Sequence, residues 1–598
     1  MADSFSKVLV KDDRIGNLTD TVAYGVLKGG QSITSTKFMS TSASTSSMVF
    51  NIQVPSETTI IDRLVMLEAT ITLKVSGGKS NAAAQKCIYD YGGTTALAPF
   101  PLHSLMNNIS VTINNNTITN NIRDILPAFL KMIDPQELQK YSGSTPTALD
   151  IMADYPATAL TGILNANTSS FIAPSYNGRG AFPVEVAKDD AFTTEQEGKD
   201  ATNDRIPAYV RFTVREPVLC SPFIFGHNQT NNSGMYGVHN MVFQVNFGSA
   251  NRVFRTGIVS PYQVEFYKIE NASLNFKFLT AHPSDLLSAR CCVPYYEIPR
   301  YVYQYPTVDH FKATTSAVIG LKSTPAKMAL TFNSISLNQI PDKLMIFVRS
   351  PLSDQTSKSA DRFFPITNIS INFNNTAGLC SSMTQHDLWT ASVESGSKQS
   401  FLEFTGCMMV GAAGGAGDNE NMYRPTCGSV LCLSFGKHIP ITEDYYAPGS
   451  TGSFVLQFTL NLENYGLTNV DQVEVVCCTI NSGFLQLERG SSTIYTSLLS
   501  KQDVLETSQQ EYHAQSDVHR MIGHGFLDRL RSTIGKINPK QIYDTAKNVY
   551  GTVKKYSPLI KQGLRMTGDS TAGQIADGME TIGLGYSGGS SKLLKRLK

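Results

Sequence analysis

The 598 residues exceed what one ordinary hydrophobic core can organise, and this length predicts two to four domains. Apolar residues make up 41% of the chain and charged residues 17%, and the 30 Phe, 25 Tyr and 45 Gly favour strands and turns over long helices. The formal net charge of +1 excludes a global field that would drive the whole chain onto nucleic acid or membrane.

Targeting signals and disulfide patterns also exclude several classes of protein. The first 17 residues lack the apolar core of a signal peptide, and no run of eighteen apolar residues occurs, so we expect neither secretion nor a membrane helix. The ten cysteines form no C-x-x-C pair, and most lie in apolar runs. We therefore expect free, buried thiols in a reducing compartment.

Taken in chain order, the segments predict an all-β body. Residues 1–45 are polar and rich in Ser and Thr, which predicts an extended arm. Short segments of alternating apolar residues then recur, separated by turn residues, and helix signals are few, chiefly Ile122–Ile133 and Pro135–Tyr141. The predicted strands are Met48–Val54, Ile60–Val75, Asn108–Ile113, Tyr209–Val214, Met241–Phe247, Gln263–Ile269, Ser273–Leu279, Met328–Phe332, Lys343–Val348, Ile366–Phe373, Ser429–Ser434, Phe454–Leu462, Val473–Thr479 and Gly483–Leu487.

Three segments recur in the same order in the two halves of the chain. Each similarity alone is weak because short β segments resemble one another by composition, but the common order predicts two tandem β-sandwich domains of similar topology. The domains would join near Ala281–Arg300. The similar pairs are Asn107–Thr117 with Thr367–Thr376, Ile61–Met66 with Ile340–Ile346, and Val218–Cys220 with Val430–Cys432.

Motifs of the common enzyme classes are missing from the sequence. It contains no HExxH, phosphate-binding loop, GxSxG or GxGxxG. His386 and Asp387, beside the single Trp389, could suggest a site, but we favour a structural histidine near the start of a helix. The acidic residues Asp150, Asp154, Asp189, Asp190 and Glu195 could bind a cation, but they lack EF-hand spacing. The sequence therefore predicts a protein that is not an enzyme and that has no catalytic residue, cofactor or metal site.

The C-terminal segment differs in charge from the rest of the chain. Residues 525–598 contain 13 basic and 5 acidic residues, a net charge of +8, whereas the first 524 residues carry a net charge of −7. Asn538 before Pro539 is typical of a helix start, and apolar residues with three-four spacing follow it. Three uses compete for this basic, partly helical tail: non-specific contact with DNA, docking on an inner anionic membrane, or contact with a scaffold partner.

A short motif lies where the acidic body meets the basic tail. Met521, Gly523 and Gly525 fit the M/L/I-x-G-x-G substrate pattern of adenovirus-type cysteine maturation proteases, which places cleavage after His524. A five-residue degenerate pattern arises by chance, but its position at the change of charge favours processing. We therefore predict a proteolytic site at Met521, Gly523, His524 and Gly525.

A further set of segments carries a family resemblance. These segments are Gly29–Gln31, Ile60–Val65, Ile340–Val348, Ile371–Asn375 with Asp387–Leu388, Gly428–Lys437 and Gly452–Phe458. In this order, over about residues 25–510, they resemble virophage major capsid proteins. The cleavable tail is similar to the Mavirus-type branch, near the polinton viruses that carry an adenovirus-like protease, and the Sputnik type is a more distant match.

The resemblance implies an all-β double jelly roll, which is two tandem jelly-roll β-sandwiches, followed by the basic, partly helical tail. The expected domains are an N-terminal arm over 1–45, a first jelly roll with long loop insertions over 46–290, a second jelly roll over 291–510, a linker over 511–524 and the tail over 525–598. On this reading the insert around Tyr141–Arg205 is an outward tower or an intersubunit clasp, and the arm ties neighbouring subunits together.

The family also implies a structural function. Three chains would form a homotrimer, a pseudo-hexameric capsomer, and capsomers would tile an icosahedral shell with penton and minor capsid proteins. An adenovirus-type cysteine protease would remove the tail after it has assisted assembly. The expected location is the virion capsid, assembled in the cytoplasm of the infected cell.

A carbohydrate- or receptor-binding β-sandwich surface protein of a virus is the alternative. Such a protein favours exposed aromatic clusters on loops. This chain has one Trp, and its Tyr and Phe residues fall mostly inside strand patterns.

Overall fold

The computed structural model describes residues 32–506 with several gaps. Strands dominate this part of the chain, which confirms the all-β prediction. Within it, no helix has the length and apolar character needed to cross a membrane. The protease motif and the basic tail lie outside the described residues. The gaps are 78–79, 82–85, 88–90, 92–94, 154–181, 188–207, 224–233, 258–261, 281–286, 313–324, 359–360, 413–420, 468–469 and 498.

Two antiparallel sheets form the first sandwich. We call the larger one sheet A; its strands are Glu185–Ala187, Ala208–Pro217, Met66–Gly77, Tyr262–Thr280, Thr59–Asp62 and Gly234–Met235, with Ser32–Met39 paired to Tyr262–Thr280. Sheet B comprises Asn116–Asn120, Met106–Ile113, Asn240–Phe247, Ser47–Gln53 and Ser42–Ala43. Alternate residues of each strand point to one face, so that two inward faces enclose a core between the sheets.

The second sandwich repeats this arrangement. Sheet C comprises Cys291–Glu297, Gln472–Glu488, Lys343–Arg349 and Val430–Ser434, with Arg300–Pro306 and Ser491–Tyr495 also paired to Gln472–Glu488. Sheet D comprises Ala326–Thr331, Thr451–Asn464, Ile366–Phe373 and Thr376–Leu379, with Ile335–Gln339 paired to Thr451–Asn464. The order of the central strands in sheets C and D matches that in sheets A and B.

Short elements connect the sheets. The helices are Pro101–Leu105, Ile122–Leu130, Pro135–Gln139, Asp309–Lys312, Gln385–Glu394, Phe401–Phe404 and Lys501–Glu506, and the 3₁₀ turns are Ala250–Arg252 and Leu352–Asp354. Three two-stranded ribbons pair Phe254–Thr256 with Thr95–Leu97, Cys407–Ala412 with Asn421–Pro425, and Ser80–Asn81 with Lys86–Cys87. The longest helices, Ile122–Leu130 and Gln385–Glu394, each follow the hairpin at the edge of sheet B or sheet D.

The internal repeat seen in the sequence corresponds to equivalent hairpins. Asn107–Thr117 and Thr367–Thr376 form the edge hairpins of sheets B and D, and each turns at an asparagine with positive φ, Asn114 at 52° and Asn374 at 54°. Asparagine tolerates this left-handed conformation better than most residues. Ile61–Met66 and Ile340–Ile346 lead into equivalent strands of sheets A and C.

The third pair of similar segments does not occupy equivalent positions in the two sandwiches, so that part of the predicted repeat is wrong. Val430–Cys432 lies inside the strand Val430–Ser434, whereas Val218–Cys220 follows the end of the equivalent strand at Pro217. Both segments are buried and apolar, which explains why their compositions agree although their positions in the fold differ.

Strand boundaries differ from the predictions where a strand bulges or continues past one sandwich. Gln263–Ile269 and Ser273–Leu279 are one strand, Tyr262–Thr280, whose register shifts twice. Val473–Thr479 and Gly483–Leu487 are also one strand, Gln472–Glu488. At the end of the predicted arm, Ser32–Met39 pairs with Tyr262–Thr280 of the same chain.

Candidate functional site: the seam between the two sandwiches

Helix Ile122–Leu130 lies between the sandwiches and is buried on two sides. Ile122, Leu126 and Leu130 pack into the core of the first sandwich. Ile125 and Ala128 pack against the outer face of sheet C, where Met345 and Phe347 belong to the same cluster. The inner face of sheet C contributes to the core of the second sandwich, so both faces of this sheet are buried. We call this contact, with the ion pairs and loops around it, the seam.

A buried guanidinium joins the two halves at the seam. Arg349 of sheet C donates from Nε to Glu474 at 2.8 Å and from Nη2 to the Asp124 carboxylate at 3.0 Å, and Nη1 donates to the Asp124 carbonyl at 3.2 Å. Asp124 belongs to the helix of the first half, and its other carboxylate oxygen lies 2.7 Å from Arg300 Nε. The planar guanidinium fork can bind several oxygens at once, so Arg349 fixes the helix against sheet C.

A lysine at the end of the same helix makes a second link. Lys131 Nζ lies 2.5 Å from Glu403 of the second half and also donates to the Asp150 carbonyl. Gln399 donates to Glu403 at 3.2 Å and to the Gly428 carbonyl at 3.0 Å. Burial alone would lower the pKa of Lys131, but Glu403 raises it above its ordinary range, so the lysine stays charged.

Two arginines of the first half form a third link. Arg255 donates to Asp361 of the second half at 2.6 Å and to Asp150 at 3.3 Å. Arg252 lies 3.4 Å from the same Asp361 oxygen. Burial alone would raise the pKa of Asp361, but the guanidinium groups of Arg255 and Arg252 hold it below its ordinary value. The charges in the seam are therefore paired, as buried charges must be to avoid a large desolvation cost.

Backbone hydrogen bonds extend the seam beyond these charges. Cys427 N donates to the Ile151 carbonyl at 2.7 Å, and Ala153 N donates to the Pro425 carbonyl at 3.0 Å. At another position Ser492 Oγ donates to the Ile113 carbonyl at 2.7 Å. Residues 150–153 belong to the long insert of the first half, so this part of the insert binds the second sandwich.

One long strand takes part in every hydrophobic cluster. Within Gln472–Glu488, Val475 and Cys477 lie in the second core, Val476 and Cys478 in the seam cluster, and Leu485 and Leu487 in the first core. The partner strand Cys291–Glu297 also packs into the first core through Cys291, Val293 and Tyr295. The two sandwiches therefore share β structure as well as a surface.

A group resembling a catalytic triad lies elsewhere in the second sandwich. Ser395 Oγ lies 3.3 Å from His438 Nδ1, and His438 Nε2 lies 3.0 Å from Glu394. However, Ser395 is only 1% exposed, and Nδ1 accepts a hydrogen bond from Ser434 N at 3.1 Å. Burial lowers the pKa of His438, although its hydrogen bond to Glu394 opposes this shift. The serine cannot reach a substrate, so this group connects a helix end to a loop and has no catalytic geometry.

The structure assigns structural roles to several residues selected from the sequence. His386 contacts Phe401 and Trp389, with ring centroids 5.0 and 5.4 Å apart, as expected for a structural histidine near a helix start, and Asp387 caps the helix Gln385–Glu394. Asp150 pairs with Arg255. Among the described residues no group of three or more His, Cys, Asp or Glu could hold a metal ion. Asp154, Asp189, Asp190, Glu195 and the processing residues Met521, Gly523, His524 and Gly525 lie outside the described residues.

Sequence reasoning missed the charged residues of the seam. No local motif identifies Asp124, Arg349 or Glu474, because their partners come from distant parts of the chain. One signal was available: Leu344–Val348 is a continuous apolar run, whereas the equivalent strand Met66–Gly77 alternates apolar and polar residues. A continuous run indicates a strand buried on both faces.

The chain matches known capsid proteins over most of its length. A family model described as the first domain of the Sputnik virophage major capsid protein matches residues 2–279, and one described as the C-terminal domain of major capsid protein V20 matches residues 311–483. The putative capsid protein V20 of Sputnik virophage is 23% identical over 551 residues, which cover 89% of this chain and 86% of that protein.

Solved structures agree with these matches. The chain in the cryo-EM structure of the Sputnik virophage superposes with a TM-score of 0.70 and 22% identity, covering 88% of this chain and 100% of that one. The crystal structure of the mavirus major capsid protein gives a TM-score of 0.62 and 13% identity, covering 85% and 99%. Of these two, the Sputnik structure has the higher score and identity.

The matches confirm the resemblance to virophage major capsid proteins and the predicted fold class of two tandem jelly-roll sandwiches, whereas the expectation that the Sputnik type is the more distant match is wrong. The two family models follow one another in the order of the two sandwiches. The relatives are structural proteins of a capsid, so the chain is not an enzyme. The chain belongs to the virophage major capsid protein family and is a component of the virion shell.

Proposed function

We propose that three copies of the chain form a pseudo-hexameric capsomer and that these capsomers tile an icosahedral shell. The observation that carries the proposal is the seam: buried ion pairs and a shared strand hold two sandwiches in one subunit. A trimer of such subunits presents six sandwiches of similar topology, which suits quasi-sixfold packing. Penton and minor capsid proteins would fill the positions that this packing leaves, and assembly would take place in the cytoplasm of the host cell.

The mass in solution tests this proposal. Residues 1–598 and residues 1–524 are expressed separately and measured by light scattering on a sizing column. We expect both at about three times the monomer mass, which is 65.3 kDa for the full chain, because the described strands of both sandwiches come from residues 32–495. A stable monomer in both cases would contradict the capsomer.

We propose a transient role for the basic tail during assembly. Its net charge of +8 would hold scaffold, packaged DNA or inner membrane while shells form. An adenovirus-type cysteine protease would then cut after His524, within the motif formed with Met521, Gly523 and Gly525, and make assembly irreversible. Deleting residues 525–598 should impair shell formation more than folding; failure of the shortened chain to fold would contradict this division of roles.

Processing has its own test. The substitution Gly525→Asp places a charged side chain in the motif and should block cleavage by the virus-encoded protease while the trimer mass stays unchanged. Gly573→Asp, in the tail but outside the motif, is the matched control and should be processed normally. Mass spectrometry of the products reports the cut. Normal cleavage of the Gly525→Asp chain would exclude this site.

A further inference from the structure

We propose that Lys131 of the first half and Gln399 of the second half react with each other and form an isopeptide bond across the seam. The bond joins Lys131 Nζ to the side-chain carbonyl carbon of Gln399 and releases ammonia, and Glu403 carries the protons. The reaction takes place within one folded chain, so it does not depend on the proposed trimer.

The amine and the amide meet at one carboxylate oxygen. Lys131 Nζ lies 2.5 Å from Glu403 Oε1, and Gln399 Nε2 donates to the same oxygen at 3.2 Å. The two backbones also run side by side, because Lys398 N donates to the Lys131 carbonyl at 2.9 Å. The fold therefore holds a nucleophile and an electrophile from distant parts of the sequence next to a common acid–base group.

Hydrogen bonds fix the orientation of the Gln399 amide. Its oxygen accepts from Val430 N at 2.9 Å, and its nitrogen donates to the Gly428 carbonyl at 3.0 Å as well as to Glu403. The Val430 N–H thus points at the oxygen on which negative charge develops when an amine attacks the carbon. A backbone donor in this position stabilises the tetrahedral intermediate of acyl transfer.

Glu403 can turn the ammonium group of Lys131 into a nucleophile. In the ion pair Lys131 is charged and has no lone pair, but transfer of one proton to Glu403 leaves a neutral amine beside a carboxylic acid. Low-dielectric surroundings penalise this neutral pair less than water does. Lys131 is 5% exposed, Glu403 6% and Gln399 3%, so water has little access to compete with the amine for the amide carbon.

The protons and bonds of the reaction balance without an oxidant or a cofactor. Lys131 gives one proton to Glu403, the Nζ–Cδ bond forms, and Glu403 returns the proton to Nε2 of Gln399. The Cδ–Nε2 bond then breaks, and Glu403 passes on a second proton from Nζ, so that the nitrogen of Gln399 departs as ammonium. One ammonium group and one primary amide become one secondary amide and a free ammonium ion.

The choice of a lysine supports a reaction here. Lys131 is the single lysine among the buried residues of the described chain, whereas the neighbouring buried cations Arg252, Arg255 and Arg349 carry guanidinium groups. A guanidinium stays charged and makes several hydrogen bonds at once, so it suits a permanent ion pair better than an ammonium does. An amine in the same network can react, and the product removes the desolvation cost of one buried charge.

The mass of the denatured chain tests the proposal. The full chain of 598 residues is purified in its folded state, unfolded and weighed by mass spectrometry. We expect it to be lighter than its unreacted sequence by the mass of one ammonia. Digestion with pepsin and fragmentation of the peptides should give two segments joined through Lys131 and Gln399.

Two lysine variants provide the comparison. Lys131→Arg keeps a buried cation beside Glu403 but has no reactive amine, so its mass should equal that of its sequence. Lys398→Arg is the matched control, because this lysine is exposed and adjacent to Gln399, and it should lose ammonia as the parent does. Circular dichroism with a thermal melt shows whether each variant folds.

The role of Glu403 has a separate measurement. Glu403→Gln keeps both reacting groups and removes the proton carrier, so it should slow the appearance of linked chains about a hundredfold, as loss of a general acid–base group does. If this variant does not fold, the parent and Lys131→Arg still decide the proposal. A parent chain with the full mass of its sequence, an ammonia loss located on another residue, or the same loss in Lys131→Arg would overturn it.

Discussion

Arg349 is enclosed by acidic oxygens from both halves of the chain, so its removal tests the seam directly. The substitution Arg349→Met keeps most of the apolar stem but leaves Asp124 and Glu474 without their shared partner. Breaking a buried pair by removing one partner destabilises proteins by about 3–5 kcal/mol. We expect a loss of this size in the free energy of unfolding, measured by urea denaturation.

Arg123, which precedes Asp124 in the sequence, provides the control for that experiment. Its Nε lies 3.4 Å from the same Asp124 carboxylate, but its side chain is exposed to solvent. Exposed ion pairs contribute about 0–1 kcal/mol, so Arg123→Met should leave the unfolding midpoint nearly unchanged. Equal losses from the two substitutions would show that Arg349 acts only as one more charge near Asp124.

His438 should make the stability fall as the pH drops below the ordinary pKa of histidine. Burial lowers its pKa in the folded chain, Lys437 and Lys343 lower it further, and only Glu394 opposes the shift. The unfolded chain, with an ordinary pKa of about 6.5, therefore binds the proton first as the pH falls. The contribution of neutral His438 to the free energy of unfolding is complete above the pKa of the unfolded chain. It is lost as the pH falls from that pKa toward the lower pKa of the folded chain.

Thermal melts between pH 7 and pH 5 measure this effect. His438→Asn, whose side-chain oxygen can still accept from Ser434 N, should lose less stability over this interval than the parent chain does. His310→Asn, at an exposed histidine, is the control and should follow the parent. A parallel pH dependence in parent and His438→Asn would contradict the assigned role of burial.

At the scale of single elements, the hairpin after strand Gln472–Glu488 fixes the first sandwich against the second. Gly490 has a φ of 79°, and a Cβ there would lie 1.8 Å from His239 Cδ2 of the first half. The substitution Gly490→Ala therefore adds backbone strain and a steric clash, and we expect a loss of about 1–3 kcal/mol. Gly143→Ala, where no atom lies within 4 Å of the new carbon, should be neutral in the same denaturation measurement.

Strand existence could be predicted from period-two patterns because each sandwich buries one face of most strands. Ile109, Val111 and Ile113 alternate with polar residues in the sequence and point into the first core. The period-two pattern does not determine where a strand ends, because the ends depend on pairing with neighbouring strands. Gln472–Glu488 is therefore one element. Asn481, Ser482 and Gly483 carry a turn signal in the sequence, but the strand continues through them because each end pairs with a different strand.

The candidate site could be predicted less well than the fold. Asp124, Arg349 and Glu474 meet only after two sheets and a helix have packed, and no spacing in the sequence encodes that meeting. The continuous apolar run in Leu344–Val348 does indicate a second buried face. This apolar run identifies the sheet that takes part in the seam, but it does not identify the charged residues that form ion pairs across the seam.

For the whole molecule, the shared strand predicts that the first sandwich does not fold alone. A fragment of residues 32–290 lacks Leu485, Leu487 and Val293, which are buried in the first core. Losing a large apolar side chain from a core costs about 2–5 kcal/mol, so the loss of these three is comparable with the total stability of a typical domain, about 5–15 kcal/mol. The first sandwich therefore needs part of the chain that belongs, by sequence order, to the second.

Expression of fragments checks this expectation. Residues 32–506 should be soluble and melt cooperatively, whereas residues 32–290 should aggregate or bind an apolar dye without a melting transition. Co-expression with residues 291–506 should restore a soluble complex, because the missing strands can pair across the break. A cooperative melt of residues 32–290 alone would mean that the first sandwich tolerates the loss of Gln472–Glu488, and the link between the two sandwiches would then depend on the apolar packing, hydrogen bonds and charged pairs of the seam.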